Sequence, residues 1–343
     1  MPVDELSLDE LIDAVCASGG ARPWSDAPVP GLVAVDLDAG TTPGPVPELH
    51  GGVRAVVVGR TAAEPPGGPQ APPAAALCDV VLAADDPACG AAFDAVAATV
   101  DAFPLASCAL AVLLRGAAHR SVDAGLTAES AVYSTLQAGP EFAAWRAARP
   151  RRARPPEGDA VAVARDGPVL RVTLDRPHVR NALNTTMRDQ LVEAFDLAAL
   201  APDVTAIHLR GAGPDFCAGG DLDEFGSFPD PATAHLVRLQ QSVGRAIARV
   251  GDRVTAHLHG ACVGSGIELP AFAATVVAAP SARISLPEVS LGLVPGAGGT
   301  VSIPRRIGRH RTARLALTGE VLDAPTALLW GLVDALDETR GDA

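Results

Sequence analysis

The chain has 343 residues, 48% of them apolar, with 27 basic against 40 acidic side chains and a formal charge of -13. All 27 basic residues are arginine, which excludes a Schiff-base lysine, a P-loop lysine and a Ser–Lys nucleophile. The acidic balance argues against nucleic-acid and anionic-membrane partners, because both select cationic surfaces.

The first 15 residues are acidic and lack a basic segment followed by an apolar one, and no apolar run reaches the roughly 18 residues of a membrane span. The six cysteines form no CxxC pair and have no histidines at metal-ligand spacing, so they read as free thiols of a cytoplasmic protein. In the first half, GLVAVDLD, VRAVVVGR and CDVVLAAD are apolar enough for buried strands. DPACGAAFDAVAATVDAF and TAESAVYSTLQAGPEFAAWRAAR have helical spacing. Residues 149–157, RPRRARPPE, set four arginines among three prolines, a composition that resists both helix and strand, and mark a boundary between domains 1–148 and 158–343.

Beyond the boundary, VAVARDGPVLRVTL alternates around a glycine turn and predicts a hairpin. NTTMRDQLVEAFDLAAL predicts a helix, VTAIHLRGAG a strand, SVGRAIARV a helix, and VTAHLHGACVGSG a strand breaking into a glycine turn. IELPAFAATVVAA reads as a helix running into a strand. RRIGRHRTARLALTGE and APTALLWGLVD read as helices. Strands alternating with helices predict an α/β fold.

Three segments carry chemistry: DRPHVRNAL (Asp175–Leu183), FCAGGDLDEF (Phe216–Phe225), and HGACVGSGIELPAF with ISLPEVSLGLVPGAGGT (His259–Thr300). Gly219-Gly220-Asp221 follows a strand and Gly264-Ser265-Gly266 opens a helix, so both present backbone N–H groups without side-chain obstruction. Two converging donors would form an oxyanion hole; two unrelated turns would not. Glu268 lies in the first turn of the helix after Gly266, and Glu288 follows Pro287 among apolar residues. Apolar surroundings raise a carboxylate's proton affinity toward neutrality, as general acid–base work requires, although a helix-capping or solvated glutamate is the simpler alternative. His257 and His259 lack a third ligand and read as structural, and Cys217 and Cys262 as small buried residues. Arg305, Arg306, Arg309 and Arg311 form a dense run that either packs on a neighbouring element or meets phosphate.

In order and spacing these segments resemble the crotonase (enoyl-CoA hydratase/isomerase) superfamily over residues 160 to about 335. The resemblance implies a crotonase-like ββα spiral in the C-terminal half and an acyl-CoA thioester as substrate. It implies no metal and no cofactor, coenzyme A being part of the substrate. The N–H groups of Gly220 and Ser265 would hold the thioester oxygen, and Glu268 and Glu288 would orient water and manage the α-proton of a 2-enoyl-CoA hydratase. Arg176, Arg180, Ala218 and Asp221 match positions near the coenzyme A. Isomerisation, cofactor-free arylacetyl-CoA oxygenation and non-catalytic binding are alternatives within the same resemblance. Ser265 stands where a glycine is usual, and Pro270 lies just after Glu268. Family chains continue past the segment that GLVDALDE resembles into helices covering the acyl pocket and forming trimer or hexamer contacts. DAGLTAESAVYSTLQAGPEFAAWRAARP looks like such a tail. The first half is therefore expected to be a degenerate crotonase-like α/β unit, lacking acids and oxyanion glycines, whose helices 123–148 cover the second half.

Overall fold

The computed structural model describes residues 4–16, 30–39, 49, 53–62, 73–152 and 158–337. The first half opens with β1 (Asp4–Leu6), α1 (Leu8–Cys16), β2 (Gly31–Asp36), β3 (Ala55–Thr61) and β4 (Val80–Ala83). These four strands form one parallel sheet in the order β1-β2-β3-β4. The unbroken apolar run of β3 is buried along Ala55–Gly59, as expected for a parallel strand covered on both faces. Four helices follow: α2 (Cys89–Ala102), α3 (Pro104–Arg115), α4 (Val122–Gln137) and α5 (Pro140–Ala148). Ser121 caps α4 by accepting the Ala124 N–H at 3.2 Å.

The second half begins with β5 (Val161–Asp166) and β6 (Val169–Leu174), the predicted hairpin, turning at Gly167 with φ +56°. Next come α6 (Thr185–Leu200), β7 (Ala206–Gly211), α7 (Pro231–Gln240), α8 (Val243–Ala248) and β8 (Val254–Leu258). Asn184 caps α6 through the Met187 N–H, and Met187, Leu191, Ala194, Phe195 and Ala198 bury one stripe of it. Then follow β9 (Ala261–Val263), α9 (Ser265–Glu268), β10 (Thr275–Ala278), β11 (Arg283–Ser285), α10 (Gly299–Thr318), β12 (Leu322–Asp323), α11 (Ala324–Trp330) and β13 (Ala335–Leu336). Six strands form a sheet in the order β13-β10-β8-β7-β6-β5, and β12-β11-β9 form a smaller one.

Two expectations change here. VTAHLHGACVGSG is two strands in different sheets, β8 and β9, because Gly260 turns the chain between them at φ +53°. The helix expected over IELPAF is only the single turn α9, because Pro270 cannot continue it and starts a 3-10 turn over Pro270–Phe272.

The boundary at 149–157, of which 153–157 lie outside the described residues, separates two sheets, yet one of two buried apolar clusters spans it, the other lying within the first half around Leu11, Val35, Val57 and Leu77. One continuous apolar cluster joins Val56, Val80, Val96 and Leu110 of the first half to Leu191, Ile207, Ile284 and Leu315 of the second. Helix α10 is two helical stretches meeting at a kink at Gly308 (φ +77°), inside the single helix expected for RRIGRHRTARLALTGE; it runs along the seam and packs on β4, α2, α3 and α4. The arginine run lies on it and packs within the chain. Arg309 donates to Cys78 O at 2.6 Å and Ala76 O at 2.7 Å; Arg306 bonds Asp334 at 3.0 Å; Arg305 donates to Arg120 O; Arg311 stacks on Trp330.

Candidate active site

The first chemical segment is fixed by Asn181, which is fully buried at φ +55°. Its Oδ1 accepts the Arg176 N–H at 2.8 Å, and its Nδ2 donates to the carbonyls of Ala212, Asp215 and Phe216. Four backbone groups from two segments are thereby satisfied by one amide. The FCAGGDL loop then pairs with this segment: Leu183 N–H donates to Gly219 O and Asp221 N–H to Leu183 O, both near 2.9 Å. That ladder leaves the intervening N–H of Gly220 turned away. Ser265 is the first residue of α9, where a helix has no internal acceptor for its N–H. Among the described residues, neither N–H meets a protein acceptor.

Gly220 and Ser265 line one open cavity, together with Glu268, Glu288, Gly296 and Ala297. Both glutamates are buried, at 2% and 8% exposure. Glu268 closes α9, and its Oε2 accepts the N–H groups of Ala297 and Gly299, each at 2.8 Å. Glu288 opens a 3-10 turn, Glu288–Leu291, and its buried Oε2 has no protein partner.

Gly264 allows the two acids to converge. It sits at φ +50°, and a Cβ there would lie 2.3 Å from Glu288 Oε1 and 3.8 Å from Glu268 Oε1. Burial pushes Glu268 up to about 7, against the two N–H donors that favour its charge. Burial, then the charge of Glu268, holds Glu288 well above the usual carboxylate range. Burial thus favours the protonated form of both acids.

A third buried carboxylate comes from the first half. Glu129 of α4 is 2% exposed and accepts from Gly298 N–H at 2.7 Å, Thr300 N–H at 2.9 Å and Thr300 Oγ1 at 2.7 Å. The first half thus brings a buried acid to the edge of the site, as a brace for the 298–300 backbone rather than as a counterpart of Glu268 or Glu288. Burial, followed by repulsion from Glu268, raises Glu129 to about 8. Tyr133 and Gln137 of the same helix line the cavity, as do Arg188 of α6 and Arg238 of α7. The available sign in the sequence was a helix whose buried face carries Glu129, Ser130, Tyr133 and Ser134, too polar for an ordinary core stripe.

The four residues assigned to coenzyme A fare unequally. Arg176 does not face a phosphate: it is 2% exposed and ion-paired with buried Asp221 at 3.3 Å, under the loop. Asp221 is correspondingly an internal counter-charge. Arg180 is on the surface, gripping Asp215 through Nε at 2.7 Å, and its carbonyl accepts the Ala218 N–H. His259 approaches Gly213 O at 3.1 Å, His257 pairs with His208 at 2.9 Å, and Cys217 and Cys262 are buried.

The family model for enoyl-CoA hydratase/isomerase matches residues 164–339, just over half the chain. The chain belongs to the enoyl-CoA hydratase/isomerase family. Among curated family members, the 2,3-dehydroadipyl-CoA hydratase of Escherichia coli K12 is 36% identical over 171 residues, 50% of this chain and 66% of that one. The 1,2-epoxyphenylacetyl-CoA isomerase of the same strain is 35% identical over 181 residues, 51% of this chain and 69% of that one. The crystal structure of enoyl-CoA hydratase from Thermoplasma volcanium GSS1 shares 36% identity over 52% of this chain and 72% of that one, with a TM-score of 0.49.

Proposed function

We propose that this chain hydrates 2-enoyl-CoA thioesters. The observation that carries the reading is the convergence of Glu268 and Glu288 beside Gly264, in the cavity lined by Gly220 and Ser265. A thioester oxygen between the Gly220 and Ser265 N–H groups would be polarised, and the enolate that forms when the β-carbon is attacked would be stabilised there. Glu268, whose Oε2 is pinned by two N–H donors, is the better carrier of negative charge, so its Oε1 takes a proton from water as the water oxygen bonds to the β-carbon. Glu288, with no donor on Oε2, favours its protonated form and delivers that proton to the α-carbon. The products are a 3-hydroxyacyl-CoA and a pair of acids that have exchanged protonation states. A solvent proton relay between them restores the start. No cofactor takes part.

Both hydratases and an isomerase stand among the relatives at similar identity, and the retained pair of acids favours hydration. Crotonyl-CoA incubated in ¹⁸O-labelled water separates the readings. Labelled 3-hydroxybutyryl-CoA supports hydration, a migrated double bond without label supports isomerisation, and binding without turnover supports a non-catalytic subunit.

Three wider readings accompany this one. The first half is a degenerate crotonase-like unit, supported by its parallel strands and by α4 bordering the cavity. The protein forms a trimer or hexamer, and exposed Leu197, Leu200 and Leu329 are candidates for the covered surface; light scattering decides. It works in the cytoplasm, consistent with six free cysteines.

A further inference from the structure

Two arginines border the cavity that holds the paired acids. Arg238 and Arg188 border the same cavity as Glu268, Glu288, Gly220 and Ser265. Arg238 is held by neutral groups alone: Nε donates to Ser130 Oγ at 3.1 Å, Nη1 to Gln137 Oε1 at 3.4 Å and Nη2 to Ser134 Oγ, while its guanidinium stacks on the Tyr133 ring at 4.7 Å. No carboxylate among the described residues pairs with it. Burial, and the like charge of Arg188, hold its proton affinity below the usual guanidinium range, against Tyr133 and Glu129. Among the described residues, Arg188 pairs only with its half-exposed neighbour Asp189, at 2.7 Å.

Three of the four acids lining the cavity are engaged elsewhere, and burial favours the neutral form of the fourth, Glu288. Glu224 accepts the Thr185 N–H at 2.7 Å and the Thr185 hydroxyl at 2.9 Å; Asp221 faces Arg176; Glu268 faces the 297–299 backbone. A plain alkyl chain filling this cavity would strip water from Arg238 and return no counter-charge, which is costly. A carboxylate at the far end of the chain would instead receive charge-assisted hydrogen bonds.

Building on the acyl-CoA reading, we propose that the cavity selects acyl chains that themselves end in a carboxylate, with Arg238 as the principal anchor and Arg188 assisting. The substrate class is then an ω-carboxy-2-enoyl-CoA. Arg238 also ties α4 to α7, so the test must separate anchoring from bracing.

Binding of saturated thioesters is independent of turnover and answers this by calorimetry. Pairs of equal length, such as glutaryl-CoA with pentanoyl-CoA and adipyl-CoA with hexanoyl-CoA, are compared on the wild type, Arg238→Gln and Arg238→Lys. The inference expects the carboxylated member of at least one pair to bind about tenfold tighter or more. Arg238→Gln should abolish that preference, weakening the carboxylated member and tightening the alkyl one as the desolvated charge is removed, and Arg238→Lys should keep part of it. Equal affinities in the wild type overturn the inference alone. So does an unchanged ratio in Arg238→Gln, whether both affinities hold or fall together as a bracing role requires. If no thioester binds the wild type, the acyl-CoA reading itself fails.

Discussion

Glu268 and Glu129 divide the backbone of a single turn between them. Glu268 accepts the N–H groups of residues 297 and 299, Glu129 those of 298 and 300, and each carboxylate is contributed by a different half of the chain. The position of Glu268 therefore depends on a helix whose contacts lie 169 and 171 residues away in sequence.

Glu129→Ala should lower kcat by about 10- to 100-fold, because releasing two of four neighbouring N–H groups lets the turn that pins Glu268 shift. Steady-state kinetics on a 2-enoyl-CoA checks this. Wild-type kcat in the variant would show that α4 only covers the cavity.

The stability of the three buried acids has a definite pH sign. Glu129 and Glu268 hold protons more tightly folded, at about 8 and about 7, than at the ordinary value of 4.5. Their contribution is fully present below about 4.5 and is lost as pH rises through 7 to 8. The melting temperature of Glu129→Gln relative to wild type should thus shift in the variant's favour between pH 5 and pH 8. A difference that stays flat over that window contradicts the assigned burial.

Gly264→Ala should be severe. Its Cβ would strike Glu288 Oε1 at 2.3 Å, at a φ of +50° that side chains resist. About 1–3 kcal/mol of stability should be lost by denaturant titration, with kcat reduced about 100-fold or more as Glu288 is displaced. Retained activity would place the reacting groups elsewhere.

In the first half, Asp79 takes a two-point bond from Arg115, at 2.6 and 2.8 Å, and the Val57 N–H at 2.9 Å, all buried. Asp79→Ala strands the Arg115 charge and should cost about 3–5 kcal/mol in urea unfolding. A loss under about 1 kcal/mol would mean that Arg115 reaches water without Asp79.

Locally encoded features were legible in the sequence. The β5–β6 hairpin follows from alternation about Gly167, helix α6 from its apolar stripe, and the two donor turns from glycines after strands. Features set by distant contact were not. Helix α3, apolar PLASCALAVLLR, has no polar face to announce its period. Arg176 looked like a phosphate ligand because nothing near it in sequence reveals Asp221 as its partner. Glu129 gains its role only at the seam, which places it at the turn after Gly296. Arg188 and Arg238 likewise acquire meaning only where α6, α7 and α4 meet.

The most direct test of the paired-acid account is turnover of crotonyl-CoA, followed at the conjugated-thioester absorbance, by wild type, Glu268→Gln and Glu288→Gln, with thioester binding measured in all three. The account predicts hydration by the wild type and a fall of about 10²- to 10⁴-fold in each variant with binding retained. Undiminished turnover in either variant would contradict it.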